Sequence, residues 1–375
     1  MMQTTPQRFL PLDVFRGLTV CFMIIVNTPG TNDIFAPLEH ARWHGFTPTD
    51  LVFPSFLFAV GNAMSFSMRK YQQMGNATVL SKIFRRTLLI FLLGFIMYWL
   101  PFVRTGADGH WEFIPISDTR ILGVLQRIAL CYCFASLLIH YLPKKALWVV
   151  SAVLLLGYWA IMYAFGEPGA PYEIHSNAAL YVDKFIMGDS HLYHGEGFAF
   201  DPEGILSTLP AIVNVIAGYL AGLFIQEKGK TSQGITRLIS AGVILILIAW
   251  LWNTQFPVNK KLWTSSFVLN TVGIDLLIIS LLIYIIDFKN STGWTSFFTV
   301  FGKNPLFLYL LSEVGVIFLS FFTIGSVSVF AWLNIHIFQP IAPGKVGSLL
   351  FALTYMLFCW SVGKILDKKR IYVRV

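Results

Sequence analysis

The chain has 375 residues, of which 56% are hydrophobic and only 12% are charged. Soluble domains carry about 25% charged residues, so this composition argues against an ordinary soluble enzyme and indicates an all-α polytopic transmembrane bundle. The formal net charge of +8 does not indicate nucleic-acid binding, because the charges lie in short loops between apolar runs. We therefore expect the lipid bilayer as a partner and no nucleic acid.

Apolar runs of about 20 residues, long enough to cross a bilayer as α-helices, recur along the whole chain. The first run contains Asp13 and Arg16 and lacks a small-residue cleavage site, which predicts a retained helix and not a signal peptide. The stretch 326–338 is apolar but short, so we expect a re-entrant or interfacial segment. One transmembrane domain over 1–375 is predicted, with about ten spans at 12–27, 50–69, 84–101, 120–141, 146–165, 205–226, 235–253, 263–287, 305–322 and 346–366.

Ten spans place both termini on one side of the membrane, and the positive-inside rule makes that side cytoplasmic. Counting 326–338 as an eleventh span would move the basic tail outside, so we reject it. All histidines except His140 then face outward, as does an acidic outer loop region at about 166–204. Groups that move protons near neutral pH thus lie outside, and most groups that hold phosphate lie inside. The outer side keeps the basic residues Arg42, Arg104, Arg120, Lys184, Lys260, Lys261 and Lys345.

The first outer loop, which connects two predicted helices, contains an unusually large number of polar side chains. His40 in this loop has the chemistry of a general base, or of a nucleophile that carries an acyl group. Asn27, which ends the first span, can donate hydrogen bonds to a developing oxyanion. An interfacial histidine and a helix C-cap asparagine are the alternatives. Asp50 follows Pro48 at a helix start, so helix capping is its first interpretation and orientation of a nearby histidine the second.

Further polar residues occur in a span and in the outer loop region. Arg127 lies about two turns inside the fourth span, where a charge is usually functional or held in a structural ion pair. His191 and His194 are three residues apart in "GDSHLYHGEGFAFDPEG", but the order matches no zinc signature and the glycines indicate a loop, so we expect no metal. A polar surface that binds a sugar is the favoured interpretation of this stretch. The predicted substrate-binding residues are Asp50, Arg127, Asp183, His191, Asp201, Glu203 and Trp263.

Basic residues at the inner ends of the spans are explained by snorkelling alone, yet each is equally able to hold a nucleotide phosphate. Asp13 and Asn27 are separated by a helical rise of about 21 Å, which is comparable to an extended pantetheine arm. A phosphate held inside would therefore present a thioester near the outer loop. The predicted phosphate-binding residues are Arg16, Arg85, Arg86, Lys303 and Asn304.

Five stretches resemble the heparan-alpha-glucosaminide N-acetyltransferase family and its bacterial relatives, in family order from residue 12 to residue 311. They are "LDVFRGLTVCFMIIVNTPG", "LEHARWHGFTPTDLVFPSFLFAVG", "GDSHLYHGEGFAFDPEGILSTLPAI", "VNKKLWTSSFVL" and "FGKNPLFLYLL". The resemblance implies a multi-pass acetyltransferase of the bacterial inner membrane, using cytoplasmic acetyl-CoA and the amine of a glucosamine-type sugar or oligosaccharide on the periplasmic side. It also implies that His40 and Asn27 are the active-site residues, and it suggests a homodimer. The stretch between His40 and Asn27 is slightly longer here than in the animal relatives.

Two other classes of function fit the pattern of spans. A transporter or flippase for a sugar or lipid-linked sugar explains the spans and a polar cavity, but not an outward histidine opposite inward basic groups. An O-acetyltransferase of a surface polysaccharide keeps the same histidine chemistry and changes only the acceptor. A non-catalytic membrane scaffold is disfavoured by the many polar motifs at the span ends.

Overall fold

The computed structural model describes residues 9–71, 73–106, 108 and 110–373, and most of these residues are helical. The all-α prediction is confirmed, with two small antiparallel hairpins as the exceptions. The helices are α1 (Leu10–Asn27), α2 (Val52–Tyr71), α3 (Asn76–Trp99), α4 (Val124–Tyr141), α5 (Lys144–Phe165), α6 (Ala178–Met187), α7 (Thr208–Lys228), α8 (Ser232–Trp252), α9 (Ser265–Ile283), α10 (Thr295–Lys303), α11 (Pro305–Phe321), α12 (Val329–Leu333), α13 (Gln339–Ile341) and α14 (Lys345–Lys368). The strands are β1 (Val103–Thr105), β2 (Trp111–Phe113), β3 (Thr323–Ile324) and β4 (Val327–Ser328).

Eight helices within the described ranges are long and apolar enough to cross a membrane, and α10 with α11, bent by 82°, gives a ninth span if counted as one. This count is one fewer than the predicted number of about ten. The difference is α3, because Lys82, Arg85 and Arg86 put three charges in its first half. The stretch 326–338 is confirmed as too short to span, since the apolar helical segment that overlaps it runs only over Val329–Ile341.

The helices connect two faces of the bundle. We call the face that carries His40 the outer face and the face that carries Lys303 the inner face, after the predicted orientation. Although α3 is not apolar enough for an ordinary span, it also joins the two faces. Its first residue, Asn76, bonds to His140 at the inner end of α4, and Trp99 at its other end bonds to Ile114 in an outer loop.

Helices α2 and α7 pack backbone to backbone at the centre of the bundle. A Cβ atom at Gly61 would overlap the carbonyl group of Val215, and one at Gly218 would overlap the carbonyl group of Phe58. Small residues allow this close approach in a membrane, where helices associate through van der Waals packing. The close packing fixes the position of α2, and Asp50 lies in the turn that leads into its outer end.

A second hydrophobic cluster anchors the outer loop region of 166–204. Tyr158 and Met162 of α5 pack with Phe200 and Phe256 from the outer loops. Trp43 joins the first outer loop to the same cluster, because its Nε1 donates to the carbonyl oxygen of Tyr172 at 3.0 Å. The loop that carries His40 and the acidic outer loop are thus held against one another.

Candidate active site

The carboxylate of Asp50 contacts the imidazole of His40. Asp50 stands in the turn Pro48–Leu51 that leads into α2, and its Oδ2 accepts from the backbone nitrogens of Thr47 at 3.0 Å and Ala41 at 3.1 Å. Its Oδ1 lies 2.7 Å from Nδ1 of His40. Asp50 therefore both caps the helix start and orients the histidine, which were the two interpretations of its sequence position. An Nδ1–H donated to Asp50 leaves the Nε2 lone pair of His40 available as a base.

Lys260 is a further neighbour of His40, from the loop between α8 and α9. Its Nζ lies 3.1 Å from Nε2 and 3.2 Å from Nδ1 of the imidazole. The two residues are 220 positions apart. From the sequence, Lys260 was predicted only to be one of several basic residues on the outer side. No local sequence pattern indicates this contact, which forms only when the outer loops come together in the folded protein.

The surroundings of His40 favour its neutral form. Burial lowers the pKa of the imidazole, its hydrogen bond to Asp50 raises the pKa, and the charge of Lys260 lowers it, leaving the pKa below the usual 6.5. The side chain is still 43% exposed, so a substrate can reach it. A neutral, accessible imidazole backed by a carboxylate is the arrangement of a general base.

Arg120 organises the acidic outer loop beside this dyad. Its guanidinium donates to both carboxylate oxygens of Asp201, at 2.9 and 2.6 Å, and to Glu203 at 2.6 Å. It is sandwiched between the rings of Tyr98 and Tyr193, 4.9 and 4.8 Å from their centroids. Arg120 thus binds Asp201 and Glu203, which were both predicted to bind substrate. From the sequence, Arg120 was predicted only to lie on the outer side.

The charge of Glu203 also acts on the dyad. Burial favours a higher pKa for this carboxyl group, but Arg120, Arg127 and Lys260 together hold its pKa below the usual value. Glu203 in turn raises the pKa of both His40 and Lys260. The outer face therefore carries one connected set of charges around the imidazole.

Arg127 and Trp263 lie beneath this set and are fully buried. Nη2 of Arg127 donates to the carbonyl oxygen of Gly204 at 3.0 Å and to Oγ of Ser207, and the guanidinium stands 4.9 Å from the ring of Trp263. The indole nitrogen of Trp263 donates to Asn214 at 3.0 Å. In this arrangement both side chains support the floor of the site.

Asp183 and His191 tie the outer loop region to its neighbours. Asp183 is buried and accepts from the backbone nitrogen of Ile205 at 2.8 Å, and burial raises its pKa to about 7. Nδ1 of His191 lies 2.8 Å from the carbonyl oxygen of Thr119, next to Arg120. Within the described residues, no three His, Cys, Asp or Glu side chains come together as a metal site.

Asn27 lies at the outer end of α1, on a different element from His40. Its Nδ2 donates to Oε1 of Glu313 on α11 at 3.0 Å. Tyr309, one turn before Glu313, is buried and lines the internal cavity described next. The two predicted catalytic residues thus flank the outer end of the bundle, and Glu313 is a partner that the sequence did not indicate.

A cavity of about 370 Å³ extends through the bundle from the inner face towards this site. Its lining includes Arg16 and Lys303 at the inner end, and Phe53 and Tyr309 further out. Phe53, in the first turn of α2, follows Asp50 by three residues and packs 5.1 Å from the ring of Trp263. The cavity therefore approaches the floor of the His40 site.

The predicted phosphate-binding residues differ in their positions relative to the cavity. The basic residues on the lining are already engaged: Arg16 with Asp13 at 2.8 Å, Lys303 with both Asp367 oxygens at 2.7 Å, and Arg86 over the Tyr132 ring at 4.6 Å.

Two other predicted phosphate-binding residues lie elsewhere. Arg85 is exposed and is not part of the cavity lining. Asn304 donates to the carbonyl oxygen of Ile371 and accepts from the nitrogen of Val373, so it holds the C-terminal tail against the cavity.

Comparison with known proteins identifies the family of the chain. Residues 8–250 match the family model described as "Heparan-alpha-glucosaminide N-acetyltransferase, catalytic". The chain is 29% identical to the human heparan-alpha-glucosaminide N-acetyltransferase over 370 residues, covering 84% of this chain and 54% of the human protein. The chain is 28% identical to the mouse protein of that name over 368 residues, covering 83% of this chain and 54% of the mouse protein. The chain thus spans about half the length of these curated relatives, and it belongs to the heparan-alpha-glucosaminide N-acetyltransferase catalytic family.

Proposed function

We propose that the protein is a transmembrane acetyltransferase of the bacterial inner membrane. It takes the acetyl group of acetyl-CoA from the cytoplasmic side and transfers it to the amine of a glucosamine-type sugar on the periplasmic side. The observation that carries this proposal is the internal cavity, which has basic groups at its inner end and approaches the His40–Asp50 dyad at its outer end. Family membership supports the reaction class.

Arg16, Arg86 and Lys303 are the groups that hold the phosphates of the donor in this proposal. Guanidinium and ammonium groups bind phosphate through charge-assisted hydrogen bonds, and these three reach the cavity. The pantetheine arm then lies along the apolar lining, with the thioester near the outer end. Arg85 and Asn304 remain predictions for the same role.

We expect Arg86→Gln to raise the KM for acetyl-CoA about tenfold, because a charge-assisted contact to phosphate contributes about 1.5–3 kcal/mol. The KM for the sugar should change far less. The matched control is Lys82→Gln, one turn earlier on α3 at an exposed position away from the cavity lining. Equal changes of the acetyl-CoA KM in both variants would contradict the proposed donor site.

On the outer side, His40 is the general base. As the amine attacks the thioester carbonyl, Nε2 takes a proton from the nitrogen, and Asp50 stabilises the imidazolium that forms. The new N–C bond forms, the C–S bond breaks, and the CoA sulfur leaves as a thiol once it is protonated. Asn27 polarises the acetyl carbonyl. In an alternative mechanism, the acetyl group is first transferred to His40 and then to the sugar. A burst of acetyl-enzyme formation would reveal this intermediate.

The pH dependence of the reaction should follow His40. The neutral imidazole is the active form, so activity rises with pH through a pKa below 6.5 and is then level. Asp50→Asn removes the charge, and weakens the charge-assisted hydrogen bond, that raise this pKa, so the acid limb should move to lower pH while the rate falls about 10²–10⁴-fold. The measurement is the pH profile of kcat/KM for both proteins. A limb that stays in place, or moves up, would show that Asp50 does not act through His40.

An assay with purified protein separates the proposal from its rivals. Labelled acetyl-CoA is supplied with a panel of amino sugars and of polysaccharides that offer only hydroxyl groups. Labelled N-acetyl sugar supports the proposal, and label on the hydroxyl acceptors alone supports an O-acetyltransferase. Movement of unmodified sugar across liposomes without acetyl-CoA supports a transporter.

A further inference from the structure

The Nζ atom of Lys260 lies where an acceptor amine has to be. A base takes a proton across a hydrogen bond of about 2.6–3.2 Å. The amine nitrogen of an acceptor must therefore approach Nε2 of His40 to that distance, and Nζ of Lys260 already lies 3.1 Å from it. Lys260 thus presents a primary amine to the same base, on the same face.

The environment of Lys260 increases the fraction of that amine in its neutral, nucleophilic form. Burial lowers its pKa most strongly; the charges of Glu203 and Asp50 oppose this effect, and the pKa remains below the usual value. Desolvation is one of the ways in which proteins activate a lysine as a nucleophile.

Lys261, the next residue, provides a contrast within the same loop. Its Nζ is ion-paired with Glu196 at 2.7 Å and donates to the carbonyl oxygen of Arg42 at 2.9 Å. Both of these acceptors hold Nζ of Lys261, whereas Nζ of Lys260 lies beside the imidazole of His40. The two adjacent lysines therefore differ in whether their amine is placed next to the proposed base.

We propose that Lys260 occupies the position of the acceptor amine and, when no acceptor is bound, takes the acetyl group from acetyl-CoA onto its own Nζ. This inference rests on the proposed function. Nζ attacks the thioester carbonyl, its N–C bond forms as the C–S bond breaks, and His40 passes the proton of the amine to the leaving CoA thiolate. The product, an amide, does not transfer its acetyl group further, so the modified protein is inactive and sugar protects against the modification.

The test incubates the purified full chain with labelled acetyl-CoA in the absence of sugar and locates the label by tandem mass spectrometry. We expect label on Lys260 to accumulate at least tenfold faster than on Lys261 or on exposed lysines such as Lys144. Saturating glucosamine, and separately His40→Ala, should suppress the label on Lys260. Activity towards sugar should fall in step with its appearance, and Lys260→Arg should abolish the labelling at this position.

Other outcomes overturn the inference in distinguishable ways. Equal labelling of Lys260, Lys261 and exposed lysines would show unassisted chemical acetylation only. Acetylation of glucosamine with Lys260 unlabelled would overturn this inference and leave the proposed function standing. Absence of label from both glucosamine and Lys260 would overturn the proposed function and this inference together.

Discussion

Replacing His40 with alanine should lower the rate of acetyl transfer to glucosamine by about 10²–10⁴-fold, which is the usual contribution of a positioned general base. His40 lies 2.7 Å from Asp50 and is the group on which the proposed proton transfer depends. Its side chain is 43% exposed, so its removal creates no core cavity and the fold should survive. The measurement is kcat for labelled acetyl transfer in detergent, together with the thermal midpoint of unfolding.

His194→Ala is the matched control for this change. His194 is an exposed histidine of the outer loop region and is not part of the proposed mechanism. Its replacement should leave kcat within about twofold, as is usual for surface changes. A His40→Ala protein that keeps most of its activity would show that another group takes the proton.

Replacing Arg120 with methionine should destabilise the folded protein by about 3–5 kcal/mol, because it leaves two buried carboxylates without their cation. The side chain of Asp201 is 0% exposed and that of Glu203 10%, and both depend on this guanidinium. Methionine keeps much of the side-chain volume between the rings of Tyr98 and Tyr193. The loss should therefore reflect charge and hydrogen bonding, and it is measured as a fall in the thermal midpoint.

Arg104→Met separates this effect from the loss of an ordinary surface ion pair. Arg104 bonds to Glu112 at 2.6 Å, but the two side chains are 52% and 49% exposed. Water solvates such a pair in either state, so the thermal midpoint should hardly change. Similar falls for the two variants would contradict the structural role assigned to Arg120.

Hydrophobic runs were sufficient to predict most of the bundle. Uninterrupted apolar stretches such as those of α7 and α8 became helices close to their predicted limits, because a bilayer requires about 20 apolar residues. Two features did not follow from this rule. The charges of α3 lower its apolar character although it joins both faces. The bend between α10 and α11 falls at Asn304, directly before Pro305, which begins α11.

The sequence indicates contacts within the candidate site only between residues that are close along the chain. His40 and Asp50 lie ten positions apart, and orientation of a nearby histidine was the second interpretation of Asp50, after helix capping. Lys260 comes to the same imidazole from 220 positions away. Arg120 likewise meets Asp201 across 81 positions. These contacts are set by the order of the outer loops in the folded bundle, and neither charge pattern nor local spacing encodes that order.

The central claim is that the acetyl group enters at the inner face and leaves on an amine at the outer face. It is tested by reconstituting the protein in liposomes of known orientation, with labelled acetyl-CoA on one side and glucosamine on the other. We predict labelled N-acetylglucosamine only when acetyl-CoA is on the side of Lys303 and the sugar is on the side of His40. Transfer only when donor and sugar share one side would contradict the account.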